Sequence, residues 1–343
     1  MAFDPVARVP LGRTGLSVTR LGFGGASIGG LYTAVSEEAA RDVVRYAWDM
    51  GIRYFDTAPL YGYGASERRI GAELGDEPRD GYVLSTKVGR LVRAPGAIGP
   101  DDELDRQRFG DRDDAFYVRA GGERLVFDYS ADGVRRSIEE SLERLGLDRI
   151  DIALIHDPDD HWQAAIEGAV PALIRLREEG VVRAVGAGMN QSEMLARFVR
   201  EADIDVVMVA GRYTILDQGA LDELLPACER RGVGVLVAGV MNSGVLVDPT
   251  RAASRFNYLP APPEVVDRAR RIAAICDRHH VSLRAAAVQF PLAHPGVASL
   301  VTGVRSRAHL DEYPAFARRA IPAGLWDDLR SEGLLRPDAP TPS

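Results

Sequence analysis

Short apolar runs alternate along this chain with longer stretches in which apolar residues recur every three or four positions. The runs at 20–24, 53–57, 82–87, 150–156, 182–188, 206–210, 234–238 and 299–303 are rich in β-branched and aromatic residues and predict eight strands. Amphipathic stretches between them predict helices over 36–50, 67–74, 131–145, 162–179, 193–201 and 220–231, and one longer helical unit over 263–294. Ser36 followed by Glu37 and Glu38 places acids at a helix start, where the dipole favours them, and Gly51 and Gly232 stand where helices stop. Ile152-Ala-Leu-Ile155 is continuously apolar rather than alternating, the mark of a parallel strand buried on both faces. Eight strand–helix units with right-handed crossovers predict an α/β fold, the closed (β/α)8 TIM barrel. An open, doubly wound dinucleotide-binding sheet is the competing architecture. Its phosphate fingerprint is missing, because Gly22-Phe-Gly24-Gly-Ala-Ser27 lacks the third glycine.

Two segments fall outside the repeat. Residues before Val18, with Leu11-Gly-Arg-Thr-Gly-Leu16, predict a small N-terminal hairpin capping the barrel floor. After strand three, residues 88–129 form a long connection that emerges at the catalytic end of a barrel. It carries Phe109, Phe116, Tyr117, Phe127 and Tyr129, so it is expected to pack, either as a substrate lid or as a plain insertion on the rim. Residues 1–336 read as one domain, and the proline-rich 337–343 as a flexible tail.

The 343 residues are 46% hydrophobic and 27% charged, enough for a substantial core. A net charge of −8 argues against nucleic acid or an anionic membrane as the main partner. Two cysteines, Cys228 and Cys276, supply neither a disulfide framework nor a metal site, and no leader or spanning segment is visible. The expectation is a cytoplasmic protein with a small-molecule substrate and no metal; oligomeric state is not legible.

Of the 42 basic side chains, Lys87 is the sole lysine, at the end of Tyr82-Val-Leu-Ser-Thr-Lys87. Arginine can neither deprotonate nor form a Schiff base, so a lone surviving lysine suggests chemistry, against the bland alternative of a chance surface position. In the barrel reading, strand two ends near Asp56, the loop after it presents Tyr61, strand three ends in Lys87 and strand four in His156. Together these make a proton relay. An ammonium beside the phenol stabilises the phenolate, and bringing a tyrosine pKa near 10 down to about 7 takes roughly 4 kcal/mol. Asp56 would hold the lysine and His156 would orient the reacting oxygen. Individually, Asp56 could cap a turn, Tyr61 could be a packed aromatic, and Asp157-Pro-Asp-Asp-His161 could be a metal cluster or acids favouring the next helix.

At this point the chain resembles the aldo-keto reductases, (β/α)8 oxidoreductases that use NAD or NADP. The resemblance spans Leu11-Gly-Arg-Thr-Gly-Leu16, Gly51-Ile-Arg-Tyr-Phe-Asp56, Tyr61-Gly-Tyr-Gly-Ala-Ser-Glu67, Ser85-Thr-Lys87 and the segment 141–151. It implies a catalytic tetrad of Asp56, Tyr61, Lys87 and His156. It also implies cofactor contacts from Gly303, Arg305, Ser306 and His309 on the adenosine phosphates, and from Gly239, Asn242, Ser243, Gly244 and Leu246 on the pyrophosphate. Tyr213 matches the tyrosine against the nicotinamide, and Asn190 is left as the carboxamide contact. The family's glutamine on strand six and late asparagine fall here at Ala210 and Tyr313, departures that weaken the nicotinamide anchoring. Arg305 suits a 2′-phosphate without excluding NAD.

Val209-Ala-Gly-Arg-Tyr-Thr-Ile-Leu-Asp217, Leu154-Ile-His-Asp-Pro-Asp159 and the long third loop look like the branch of D-threo-aldose, L-fucose, L-galactose and pyridoxal dehydrogenases. That likeness implies oxidation of a sugar C1 to a lactone, or the reverse reduction of an aldehyde or ketone. Two other functions fit the residues: a Schiff-base aldolase using Lys87, and a nicotinamide-sensing regulatory subunit.

Overall fold

The computed structural model describes residues 3–105, 116–118, 121–251 and 254–342. Eight parallel strands close into a barrel in chain order: β1 (Leu21–Gly24), β2 (Tyr54–Asp56), β3 (Val83–Val88), β4 (Ile152–His156), β5 (Ala184–Met189), β6 (Val206–Ala210), β7 (Gly234–Ala238) and β8 (Val297–Gly303). Around them lie α1 (Glu37–Asp49), α2 (Ala65–Leu74), α3 (Ala131–Leu145), α4 (Val170–Glu178), α5 (Glu193–Glu201), α6 (Leu224–Arg231), α7 (Pro263–Arg278), α8 (Leu283–Leu292), α9 (Arg307–Arg318) and α10 (Ala323–Ser331). The Ser36 hydroxyl caps α1 by accepting from the Ala39 amide, and Gly232 closes α6 in the left-handed conformation.

Strand periodicity explains both cores. Along β4, Ile152 and Leu154 point into the barrel while Ala153 and Ile155 pack against the helices. Leu11, Leu16 and Val18 of the hairpin Arg8–Pro10/Ser17–Thr19 join the interior cluster and plug the floor. The same alternation continues upward. Tyr54 is followed two residues on by Asp56, Val83 by Ser85 and Lys87, and Leu154 by His156, so the polar residues inherit the inward direction at the strands' C-terminal ends.

Three segments take a definite form in the structure. The 263–294 unit is two helices, broken at His279–Val281, where His280 takes a positive φ of 55°. The described part of the long third connection packs, as its aromatic residues predict. Arg90–Arg93 and Leu104–Asp105 both pair antiparallel with Arg124–Phe127 in a three-stranded sheet on the barrel rim; Phe109 lies outside the described residues. At the C-terminus, the segment expected to be flexible is tied to α10. Arg330 donates to the Ala339 carbonyl and the Thr341 hydroxyl, and Ala339 is buried.

Helix α2 lies so close to the end of α3 that a Cβ on Gly71 would sit 1.8 Å from the Leu145 carbonyl oxygen. Gly71→Ala is expected to lower unfolding free energy by about 2 kcal/mol or more, since two backbones must separate. Urea denaturation checks this.

Candidate active site

The inward-pointing polar residues meet at the C-terminal end of the barrel, on the wall of a cavity of about 1170 Å³. Lys87 Nζ donates to both carboxylate oxygens of Asp56, at 2.9 and 2.8 Å, and to the Thr57 carbonyl at 2.9 Å. Both charged side chains are nearly inaccessible, at 2% and 3%. A buried pair is tolerable only if its remaining valences are filled. Here Ser85 Oγ donates to Asp56 Oδ1 at 2.7 Å, and the Tyr54 hydroxyl meets Ser85 Oγ at 3.0 Å. The lysine thus has all three ammonium donors engaged.

Tyr61 comes from the turn between β2 and α2. The ammonium of Lys87 lies 4.7 Å from its ring centroid, the His156 ring meets it edge-on at 5.7 Å, and Tyr117 lies tilted against it at 5.8 Å. The four residues of the expected relay therefore converge. Their acidities do not follow the expectation. Burial pushes the Tyr61 phenol well above its usual value, and the charge of Asp56 pushes it further. Both causes are visible in the geometry: the phenol is enclosed in the cavity wall, and the ammonium that favours the phenolate holds at contact a carboxylate whose charge opposes it. His156 is held neutral, its pKa driven well down by burial and by the cations Arg90 and Lys87. Its Nδ1 is buried without a hydrogen-bond partner. A bare lone pair there costs less than a bare N–H, which assigns the proton to Nε2, on the ring edge facing the cavity.

The cofactor contacts divide. Asn190, Gly239, Asn242, Ser243, Gly244, Gly303, Arg305 and His309 line the cavity. Tyr213, Leu246 and Ser306 do not. Tyr213 is fully buried and packs on Phe290 at 5.3 Å and edge-on to His294 at 5.6 Å, behind the barrel wall. Leu246 is in the core, and the Ser306 hydroxyl is spent capping α9 by accepting from the His309 amide. Residues in turns carry no periodic signal of side-chain direction, so the motifs that hold these three do not by themselves aim them at the cavity. Ala210 and Tyr313, where the family's polar anchors are missing, both line the cavity.

Other residues line the cavity besides the expected contacts. Arg90, in the insertion sheet, donates to Asp105 at 2.7 Å and also to the His156 carbonyl. Tyr32 and Tyr258 come from the loops after β1 and β7, and Phe116 from the insertion; the Phe116 and Tyr258 rings approach to 5.0 Å and roof the cavity. His161, at one end of the acidic motif, faces Glu103 at 3.1 Å, and among the described residues no group of three or more His, Cys, Asp or Glu is placed to hold a metal ion. No described helix is long and apolar enough to cross a membrane.

A dinucleotide fits this site on three observations. The cavity is larger than an ordinary small-molecule pocket. Asn242 has a buried side-chain oxygen without a partner, in a turn where Asn242, Ser243 and Gly244 all have positive φ. At the far end Arg305, Arg284 and His309 line the wall, a donor set suited to phosphates.

Barrel enzymes work at this end of the strands, and a phenol, an amine and an imidazole beside a dinucleotide-sized cavity equip the barrel as an oxidoreductase. The sequence matches agree: the chain belongs to the Aldo/keto reductase family, whose profile covers residues 20–327. It is 48% identical to a D-threo-aldose 1-dehydrogenase of a Pseudomonas species, over 96% of this chain and 97% of that protein. It is 41% identical to a pyridoxal 4-dehydrogenase of Microbacterium luteolum, over 95% and 97% of the two chains. The holo form of an aldo-keto reductase from Bacillus halodurans shares the fold with a TM-score of 0.74, at 24% identity over 96% and 97% of the chains.

Proposed function

We propose that this enzyme is an aldose 1-dehydrogenase that uses NAD or NADP and converts the hemiacetal carbon of a sugar into a lactone. The observation that carries the reading is the buried Lys87–Asp56 pair set beneath Tyr61 and beside His156 in the cavity wall. The extensive identity to a protein named for that activity supports it.

A nicotinamide cofactor, when bound, would accept or supply the hydride. Tyr61 gives a proton to the substrate oxygen in reduction and takes it in oxidation, and its position on the cavity wall suits contact with that oxygen. His156 Nε2 donates a hydrogen bond to the same oxygen and fixes its direction. Lys87 places positive charge against the ring as negative charge develops on the phenol, and Asp56 keeps the amine in place. The aromatic roof of Tyr32, Phe116 and Tyr258 excludes water from the reacting centre. Asn190, Gly239, Asn242, Ser243, Gly244, Gly303, Arg305 and His309 hold the dinucleotide.

The bonding of Lys87 weighs against a Schiff-base aldolase. All three donors of the amine are engaged, two by the Asp56 oxygens and one by the Thr57 carbonyl, which leaves the nitrogen no open direction for attack on a carbonyl carbon. Screening aldoses and simple aldehydes with NAD and NADP, read at the absorbance of reduced nicotinamide, tests the proposal; turnover of no aldose with either cofactor rejects it. Arg305→Ala is expected to weaken NADP by about tenfold more than NAD, the loss of a charged hydrogen bond to the extra phosphate. Fluorescence titration of the two reduced cofactors measures the difference.

A further inference from the structure

Asp157 follows His156 directly and has no part in the relay described above. Its backbone takes a φ of 41°, a left-handed conformation that is strained for a residue with a side chain. Its amide donates to the Gly188 carbonyl at 3.0 Å, so the strained residue is pinned between β4 and β5. The result is that its carboxylate is turned into the cavity, with Oδ2 3.6 Å from His156 Nε2. An oxygen bound by that imidazole would therefore have a carboxylate as its immediate neighbour.

The nearest arginine does not consume this carboxylate. Arg90 faces Asp157, yet its donors go to Asp105 and the His156 carbonyl. The backbone N–H of Asn190 faces the acid and favours its charged form. The phenols of Tyr61, Tyr117, Tyr129 and Tyr258 all stand close enough to feel its charge. An ionised acceptor among aromatic rings is an arrangement suited to a polyol, whose hydroxyls need acceptors and whose C–H faces pack on rings.

We propose that Asp157 accepts a hydrogen bond from the substrate hydroxyl adjacent to the reacting carbon, and so makes the site select hydroxylated carbonyl and hemiacetal substrates over their deoxy counterparts. This rests on the placement of the reacting oxygen between Tyr61 and His156 given above. A site built to bond a hydroxyl discriminates strongly against an analogue that lacks it, because the acceptor is then left buried and unpaired.

The charge that matters is sensitive to pH. Burial pushes the Asp157 carboxyl up to about 6, with Asp159 adding to the rise and Arg90, Lys87 and the Asn190 amide opposing it. Asp105 lies behind Arg90, and the His156 imidazole, whose pKa burial lowers, faces the carboxylate at 3.6 Å. As pH falls through about 6 the carboxylate gains a proton and loses acceptor strength, so KM for hydroxylated substrates rises on the acid side.

The test compares glyceraldehyde with propanal, reduced by the wild-type enzyme, Asp157→Asn and Asp157→Ala with saturating reduced cofactor. The expected loss in kcat/KM for glyceraldehyde is about tenfold to a hundredfold in Asp157→Ala and smaller in Asp157→Asn, and at least about tenfold greater than the loss for propanal. The acid-side rise in KM should appear with glyceraldehyde and vanish in Asp157→Asn. Equal losses for both substrates, or a wild type that does not prefer glyceraldehyde, overturn the inference. Assaying aldose oxidation in parallel separates the two readings. Glyceraldehyde selectivity that depends on Asp157, without oxidation of any aldopentose or aldohexose, would support the hydroxyl acceptor while rejecting the sugar dehydrogenase.

Discussion

Tyr61→Phe is expected to lower turnover by about 10³-fold or more while the fold and the affinity for cofactor stay as they are. The substitution removes a single oxygen. The contacts that hold the ring are made by its faces and edge: Tyr117 at 5.8 Å, the His156 ring at 5.7 Å and the Lys87 ammonium at 4.7 Å. A phenylalanine keeps all of them, so unfolding free energy should shift by no more than about 0.5 kcal/mol. Direction of reaction supplies a second check on the role. Because burial and Asp56 keep the phenol protonated far beyond neutrality, the acid needed for carbonyl reduction is fully present at ordinary pH. Reduction should then be level with pH across the neutral range. Oxidation needs the phenolate, whose fraction rises tenfold per unit below the pKa, so its rate should climb with pH. Steady-state rates in both directions, with calorimetric cofactor binding to the variant, measure each part. A Phe variant that turns over at the wild-type rate would remove Tyr61 from the chemistry.

How much of this could be read from the residues follows from where periodicity operates. In β2, β3 and β4 the side chains alternate, and the apolar partners Tyr54, Val83 and Leu154 declare which face is inward. Asp56, Lys87 and His156 are two or four residues further along the same faces, so their convergence was legible before any coordinates. The barrel itself was legible for the same reason. The insertion was not, because Arg90–Arg93 finds its partner Arg124–Phe127 across some thirty residues whose pairing no local pattern announces. Arg90 therefore carries no sequence signal of its own, although it is buried and bonded to the His156 carbonyl. Tyr213 failed in the opposite way: its motif was recognisable, but its direction depends on a turn, and the ring went into the helix layer with Phe290. The acidity of Tyr61 was misjudged because residue types reveal neither how deeply a phenol is buried nor which charges oppose one another at contact.

Lys87→Met should cost both stability and catalysis, and the two costs can be separated. Removing the amine leaves Asp56 at 3% exposure with only Ser85 donating to it among the described bonds, a buried charge without its cation. Breaking such a pair from one side destabilises by about 3–5 kcal/mol. Asp56→Asn in the same chain removes the stranded charge, so the double variant should recover most of the stability. Turnover should not return with it. The ammonium is the positive charge lying against the Tyr61 ring, and without it the phenol has no favourable field as its proton leaves. Lys87→Arg should fare little better, because the planar guanidinium cannot reproduce a compact contact with both Asp56 oxygens and the Thr57 carbonyl in a space this closed. Chemical denaturation of the three variants beside their kcat values decides the matter. If the double variant regained activity together with stability, Lys87 would be a structural ion-pair partner alone, and the survival of a single lysine in this chain would have no catalytic meaning.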